Sequence, residues 1–253
     1  VVIRPPILVA LDVPRAEQAV RLAQAVAPFV GGFKVGLELL MGPGPAVVAA
    51  VGELGLPVFA DAKLHDIPVT VGAACSQVAR MGARWVSVHA SGGEQMLAAA
   101  VEGLGEGAAG RPAGVLAITV LTSLDGAALA RVGMGGSPGR QVSRLARLAA
   151  GAGAEGVVCS VRELGDVAQV AARLLRVTPG IRGPVDPADD QARVATPEEA
   201  IRRGADYLVV GRPITRAPDP PAAARALAAR IAASPAEAGL VESPGPVSGR
   251  EEE

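Results

Sequence analysis

Short apolar runs recur along the chain, each followed by a longer segment whose apolar residues return at helical spacing. The runs are Ile7–Leu11, Phe33–Gly36, Val58–Asp61, Trp85–His89, Val115–Val120, Gly156–Cys159, Leu175–Thr178 and Tyr207–Val210. Most are apolar on both parities, the pattern of a strand buried on both faces in a parallel sheet. The segments between them are rich in Ala, Leu and Arg and predict helices, among them Ala16–Ala27, Glu94–Leu104, Val142–Ala150 and Pro197–Arg203. Strands alternating with helical crossovers fit a closed (β/α)8 (TIM) barrel or an open doubly wound sheet. Polar residues collect after nearly every strand, which favours the barrel, where the loops at the strands' C-terminal ends build the site. The length of 253 residues agrees with one such barrel, which uses about 250.

Three of the predicted strands follow a Gly-Ala-charge tripeptide: Gly82-Ala83-Arg84, Gly153-Ala154-Glu155 and Gly204-Ala205-Asp206. A glycine there stops the helix and turns the chain into the next strand, so these tripeptides are read as structural punctuation. From residue 239 to 253 the character changes to Pro, Gly, Ser and a terminal charge run. The expected organisation is a single α/β domain over 1–238 and a disordered tail over 239–253.

Half the residues are hydrophobic, yet there are only one Trp, one Tyr and three Phe. The core must therefore be aliphatic, and the composition argues against a base-stacking surface for single-stranded nucleic acid. Lys and Arg number 24 against 25 Asp and Glu, a formal net charge of −1. A protein that tracks a phosphate backbone would show a basic excess, whereas a small anion needs only a few placed cations. Cys75 and Cys159 lie far apart without a CxxC partner, which suits two buried thiols in a reducing cytoplasm. The sequence contains neither a signal pattern nor an apolar run of the roughly 18 residues a membrane span needs.

The densest polar cluster, Asp61-Ala62-Lys63-Leu64-His65-Asp66-Ile67-Pro68-Val69-Thr70, follows the third strand directly. Residues two apart in a strand share a face, so Asp61 and Lys63 point the same way, with Asp66 in the turn beyond. Lys34 ends the neighbouring second strand. A lysine in a buried strand end is costly unless a carboxylate pairs with it, and two lysines with two aspartates can form an alternating network. Such a network is either a structural salt-bridge cluster or a catalytic array. As an array, an ammonium fixed in a water-poor site stabilises a developing carbanion and then protonates it. A neighbouring carboxylate holds that ammonium and crowds a substrate carboxylate. The chemistry is decarboxylation or proton transfer at carbon. His65 and His89 lack metal-ligand spacing and read as locally hydrogen-bonded histidines. Composition leaves an oxygen-rich Mg2+ site open, but Lys34 and Lys63 would place two cations beside it, so no metal is expected.

A second constellation follows strands seven and eight. In Val209-Val210-Gly211-Arg212-Pro213-Ile214-Thr215, Gly211 lets an anion approach the backbone and Arg212 can chelate phosphate oxygens. Arg182 ends Thr178-Pro179-Gly180-Ile181-Arg182, and the loop Gly183–Arg193 with Gln191 suits a lid. Either arginine alone can be a surface cation, but together on adjacent strand ends they suggest a phosphate grip.

Eight motifs in order carry a resemblance over about residues 7–230: LVALDVP at 8–14, FKVG at 33–36, DAKLHDIPVTV at 61–71, VHASGG at 88–93, TVLTSL at 119–124, TPGIR at 178–182, DDQARVATP at 189–197 and LVVGRPIT at 208–215. On these the chain resembles the bacterial orotidine 5′-phosphate decarboxylases. The resemblance implies decarboxylation without metal or organic cofactor. It implies a charged tetrad of Lys34, Asp61, Lys63 and Asp66, with Lys63 the proton donor to C6. Asp12 would hold the ribose hydroxyls, and Thr122 and Ser123 would meet the pyrimidine. Gln191, Gly211 and Arg212 would hold phosphate, with Arg182 shaping that grip. The Asp66 and Thr70 positions reach into the partner subunit's site in this family, implying a homodimer.

The sequence departs from the family pattern at Val69, where Asn is common, at Ala62, where a larger apolar residue is usual, and at Gly183, where Pro is frequent. These bear on fine geometry and lid behaviour and remove no charged group. One rival is a Mg2+-dependent sugar-phosphate lyase or decarboxylase on the same barrel, such as hexulose-phosphate synthase, which carries an acidic residue where Lys34 stands. The other is a catalytically silent nucleotide-phosphate binding protein, which would be expected to lose a tetrad member.

Overall fold

The computed structural model describes residues 4–182 and 195–234. Eight parallel strands close into a barrel in sequence order: β1 (Ile7–Ala10), β2 (Gly32–Val35), β3 (Val58–Leu64), β4 (Trp85–His89), β5 (Gly114–Ile118), β6 (Gly156–Val158), β7 (Leu175–Thr178) and β8 (Tyr207–Val210). Closure rests on β1 against β8, with Leu8 beside Val209 and Val9 beside Val210. An open sheet would leave two unpaired edges, and the doubly wound alternative is thereby excluded. The proposed domain boundary at 238 and the tail 239–253 lie outside the described residues.

Alternate residues of each strand enter two apolar compartments. Leu8, Ala10, Phe59, Trp85, Leu116, Val177 and Val209 fill the barrel interior. Residues of the other parity, such as Val9, Phe33, Val35, Val86, Val115 and Val157, pack outward against the helices. Both parities are apolar for this reason. The two cysteines are buried and neither is in a disulfide. Burial pushes the Cys75 thiol up to about 12.

Gly82, Gly153 and Gly204 all have positive φ, the left-handed conformation that ends a helix and that glycine adopts without steric cost. The charged residue that follows each one has a second use. Arg84 forms a two-pronged ion pair with Glu155 and stacks its guanidinium over Trp85, 4.6 Å from the ring centroid. Asp206 pairs with Arg176 at 3.0 Å. All four residues stand at or beside strand starts, so these pairs tie together the barrel end opposite the polar loops.

Two features prepare the site. First, β3 runs three residues past Asp61. Its ladder with β4 slips, so that Ala60 lies opposite Val86 but Leu64 opposite Val88. This is a bulge, which re-aims side chains locally. Second, the helix Pro68–Arg80 that follows packs backbone-close against Glu94–Ala108: a Cβ on Gly103 would overlap the Gly72 carbonyl, and one on Gly107 that of Ser76. Small residues at the crossing thereby dock the segment carrying Asp66 and Thr70. Among the described residues no helix is long and apolar enough to cross a membrane.

Candidate active site

Where the strands leave the barrel, polar side chains take over the inward parity. Asp12 stands two residues beyond Ala10, the last residue of β1, Lys34 is the penultimate residue of β2, and Asp61 follows Phe59 by two on β3. These residues, with Lys63, line a cavity of about 270 Å3 whose apolar floor includes Ala10, Phe59, Ile118, Val158 and Val209.

Within it the charges alternate. Lys34 Nζ lies 3.1 Å from Asp12 Oδ1 and 3.4 Å from Asp61 Oδ2. Lys63 Nζ donates to the same Asp61 Oδ2 at 2.6 Å. The other carboxylate oxygen, Oδ1, accepts from Ser87 Oγ at 2.8 Å. Lys34 and Asp61 are buried, 9% and 6% exposed. Burial pushes the Asp61 carboxyl up, but the charges of Lys34 and Lys63 and the hydrogen bonds from Lys63 and Ser87 outweigh it, and its pKa lies below the ordinary value. One ionised carboxylate therefore holds two ammonium groups facing the same space.

Asp61 and Lys63 do face the cavity together, although not by plain strand alternation. Lys63 has φ 49°; among the described residues the only other non-glycine in that region is Ala109. The left-handed conformation costs an L-residue roughly 1–2 kcal/mol, and such strain persists where the surroundings over-determine it. Here it sits inside the β3 bulge, and the Lys63 backbone N–H donates to Ser87 Oγ at 2.9 Å.

Gly36 makes room for the same array, since a Cβ there would lie 2.9 Å from Lys34 Nζ and 3.1 Å from Asp12 Oδ1. His89 and His65 stack beside the array, ring centroids 5.5 Å apart. Burial, then the charges of His65 and Lys63, lower the His89 pKa against an opposing pull from Asp61, so His89 is neutral near pH 7.

Across the cavity, Pro179, Gly180 and Arg182 after β7 and Gly211 and Arg212 after β8 form the wall. A Cβ on Gly211 would make only ordinary contacts, 3.6 Å from Ala10 Cβ and 3.8 Å from Asp12 Oδ2. The space beside it belongs to the cavity. Thr122 also lines it.

Several residues singled out in the sequence are not brought to this cavity within the chain. Asp66 is exposed, with its carboxylate accepting from the Ile67 N–H at 2.6 Å, and within one chain the aspartate that joins Asp61 on Lys34 is Asp12. Thr70 and Ser123 are exposed and do not line the cavity. Gln191, Gly183 and the lid loop lie outside the described residues. Ser87, fully buried, escaped the sequence reading, although a serine on the inward parity of an otherwise apolar run was a visible signal.

Comparison with known proteins gives the family. The family model described as orotidine 5′-phosphate decarboxylase / HUMPS family matches residues 5–227. The chain is 56% identical over 226 residues to the orotidine 5′-phosphate decarboxylase of Anaeromyxobacter sp. (strain K), covering 89% of this chain and 97% of that one. It is 53% identical over 228 residues to that of Thermobifida fusca (strain YX), covering 89% and 95%. The crystal structure of orotidine 5′-phosphate decarboxylase from Lactobacillus acidophilus superposes with a TM-score of 0.79 at 36% identity, covering 90% of this chain and all of that one. The chain belongs to the orotidine 5′-phosphate decarboxylase / HUMPS family.

Proposed function

We propose that this protein decarboxylates orotidine 5′-phosphate to uridine 5′-phosphate, a step of pyrimidine biosynthesis, without a metal ion. The observation that carries the mechanism is the buried Asp61 carboxylate with the Lys34 and Lys63 ammonium groups on one oxygen. With the substrate carboxylate beside Asp61, the C6–CO2 bond breaks and its electron pair stays on C6. The Lys63 ammonium stabilises that charge, donates a proton to C6, and regains one from solvent. Asp61 holds Lys63 in place and sets a like charge against the departing carboxylate.

Asp12, paired with Lys34, is proposed to take the ribose hydroxyls, and Thr122 with Ser123 the pyrimidine. Arg212, Gly211 and Gln191 take the phosphate, with Arg182 shaping that grip. A guanidinium at the cavity wall suits phosphate because it binds in a two-pronged way.

Asp66 and Thr70 are assigned to the site of a second copy in a homodimer. Their exposure supports this, together with that of Ile67 at 62% and Val69 at 74% beside them, since apolar side chains rimming a polar pair suit an interface. A cytoplasmic location belongs to the same reading.

The Mg2+-dependent rival is disfavoured by Lys34, whose ammonium lies between Asp12 and Asp61 at a position where those relatives carry an acidic residue. The test is a spectrophotometric assay of orotidine 5′-phosphate loss with EDTA present. Conversion to uridine 5′-phosphate is expected; activity appearing only with added Mg2+ would revive the rival.

A further inference from the structure

We propose that Ser87 is a positioning residue of the decarboxylation site, its hydroxyl holding the Asp61 carboxylate and the Lys63 backbone in fixed relation to each other. The inference rests on the reading that Asp61 and Lys63 act on the substrate. A serine hydroxyl has one donor and two acceptor positions, and both kinds are used here. Ser87 Oγ donates to Asp61 Oδ1 at 2.8 Å and accepts from the Lys63 N–H at 2.9 Å.

The need for it comes from the bulge. Four steps along β3 from Ala60 to Leu64 match two along β4 from Val86 to Val88, so Lys63 N–H has no regular ladder carbonyl opposite. A side chain from the facing strand takes the place of that carbonyl. Ser87 is fully buried and stands beside Leu116 of β5 in register, so its surroundings hold the hydroxyl in place.

The Asp61 carboxylate shows the consequence. Both ammonium groups contact Oδ2, and two contacts on one oxygen leave the carboxylate plane free to turn. The bond to Oδ1 removes that freedom. The same hydroxyl pins the residue whose left-handed backbone aims Lys63. One group thereby sets the direction of the carboxylate and of the ammonium it holds.

The experiment compares wild type, Ser87→Ala, Ser87→Thr and Lys63→Ala for kcat, KM, inhibition by uridine 5′-phosphate and thermal unfolding. Ser87→Ala is expected to lower kcat about 10- to 100-fold, the effect of losing one hydrogen bond to a charged group. KM and product inhibition should stay near wild type, because the arginine wall is untouched. Ser87→Thr, which keeps the hydroxyl, should recover most of kcat. An unchanged kcat in Ser87→Ala overturns the proposal. So does a fall in kcat matched by loss of product binding and thermal stability without recovery in Ser87→Thr, the behaviour of a serine that only supports the fold. If Ser87→Ala does not fold, Ser87→Cys, similar in shape but a weak acceptor, is read by the same criteria. Activity retained by Lys63→Ala would instead remove the reading of the site on which the inference rests.

Discussion

Gly36 stands two residues after Lys34 at the end of β2, and an alanine there would place its Cβ 2.9 Å from Lys34 Nζ and 3.1 Å from Asp12 Oδ1. Comfortable contact distances are about 3.5–4.0 Å, so the ammonium must retreat by roughly half an ångström to one ångström. The fold has little reason to object. The displaced atom is the end of a flexible side chain, and the Gly36 backbone, at φ −94° and ψ −177°, suits any residue. Removing a glycine from such a position even restricts the unfolded chain, a gain of about 0.4–1 kcal/mol. Activity is another matter, because Lys34 is the link between Asp12 and Asp61. A misplacement near 1 Å can cost about 100-fold in rate. Gly36→Ala is therefore expected to lower kcat/KM by about 10- to 100-fold while leaving the unfolding temperature unchanged or slightly higher. Absorbance loss of orotidine 5′-phosphate and thermal unfolding on the same preparation measure the two. Wild-type turnover would refute the idea that the position of Lys34 is tuned by this missing Cβ, and a large drop in stability would refute the account of the fold.

Other outcomes follow from the same geometry. Lys63→Ala and Asp66→Ala chains, each inactive alone, should regain partial activity when mixed, because one site of a mixed dimer receives both intact residues; proven mixed dimers without recovery would place Asp66 elsewhere. The lowered pKa of Asp61 means that its ionised form supports stability fully above about pH 4, the ordinary carboxylate value. That support is lost only as pH falls through the lower, folded value. The stability difference between wild type and Asp61→Asn should thus stay constant above about pH 5 and change only at more acid pH; an Asp61-dependent loss beginning near neutrality would contradict the shift. Gly103→Ala should destabilise by about 1–3 kcal/mol, because its Cβ meets the Gly72 backbone, which cannot swing aside. Gly105→Ala, which meets nothing within 4 Å, is the control and should be neutral or stabilising; equal losses in thermal unfolding would rule out the helix contact as the cause.

The strands, the barrel and much of the charged array were legible in the linear sequence because each has a local signature. Apolar runs on both parities marked strands with two buried faces, and Asp61, Lys63, Lys34 and the arginines stand together at strand ends, where a barrel builds its site. Resemblance of ordered motifs supplied the substrate, which no spacing could. Tertiary structure decided what depends on residues distant in the chain. Arg84 finds Glu155 across the closed end, and Asp12, which the resemblance gave only as a ribose contact, pairs with Lys34. The turn of Lys63 into the cavity depends on a bulge and on a serine from the next strand. Sequence periodicity reports which face a residue occupies, since one strand or helix sets that. Which charges meet, and which backbone bends to let them, is set by the register between strands and appears only when the barrel closes.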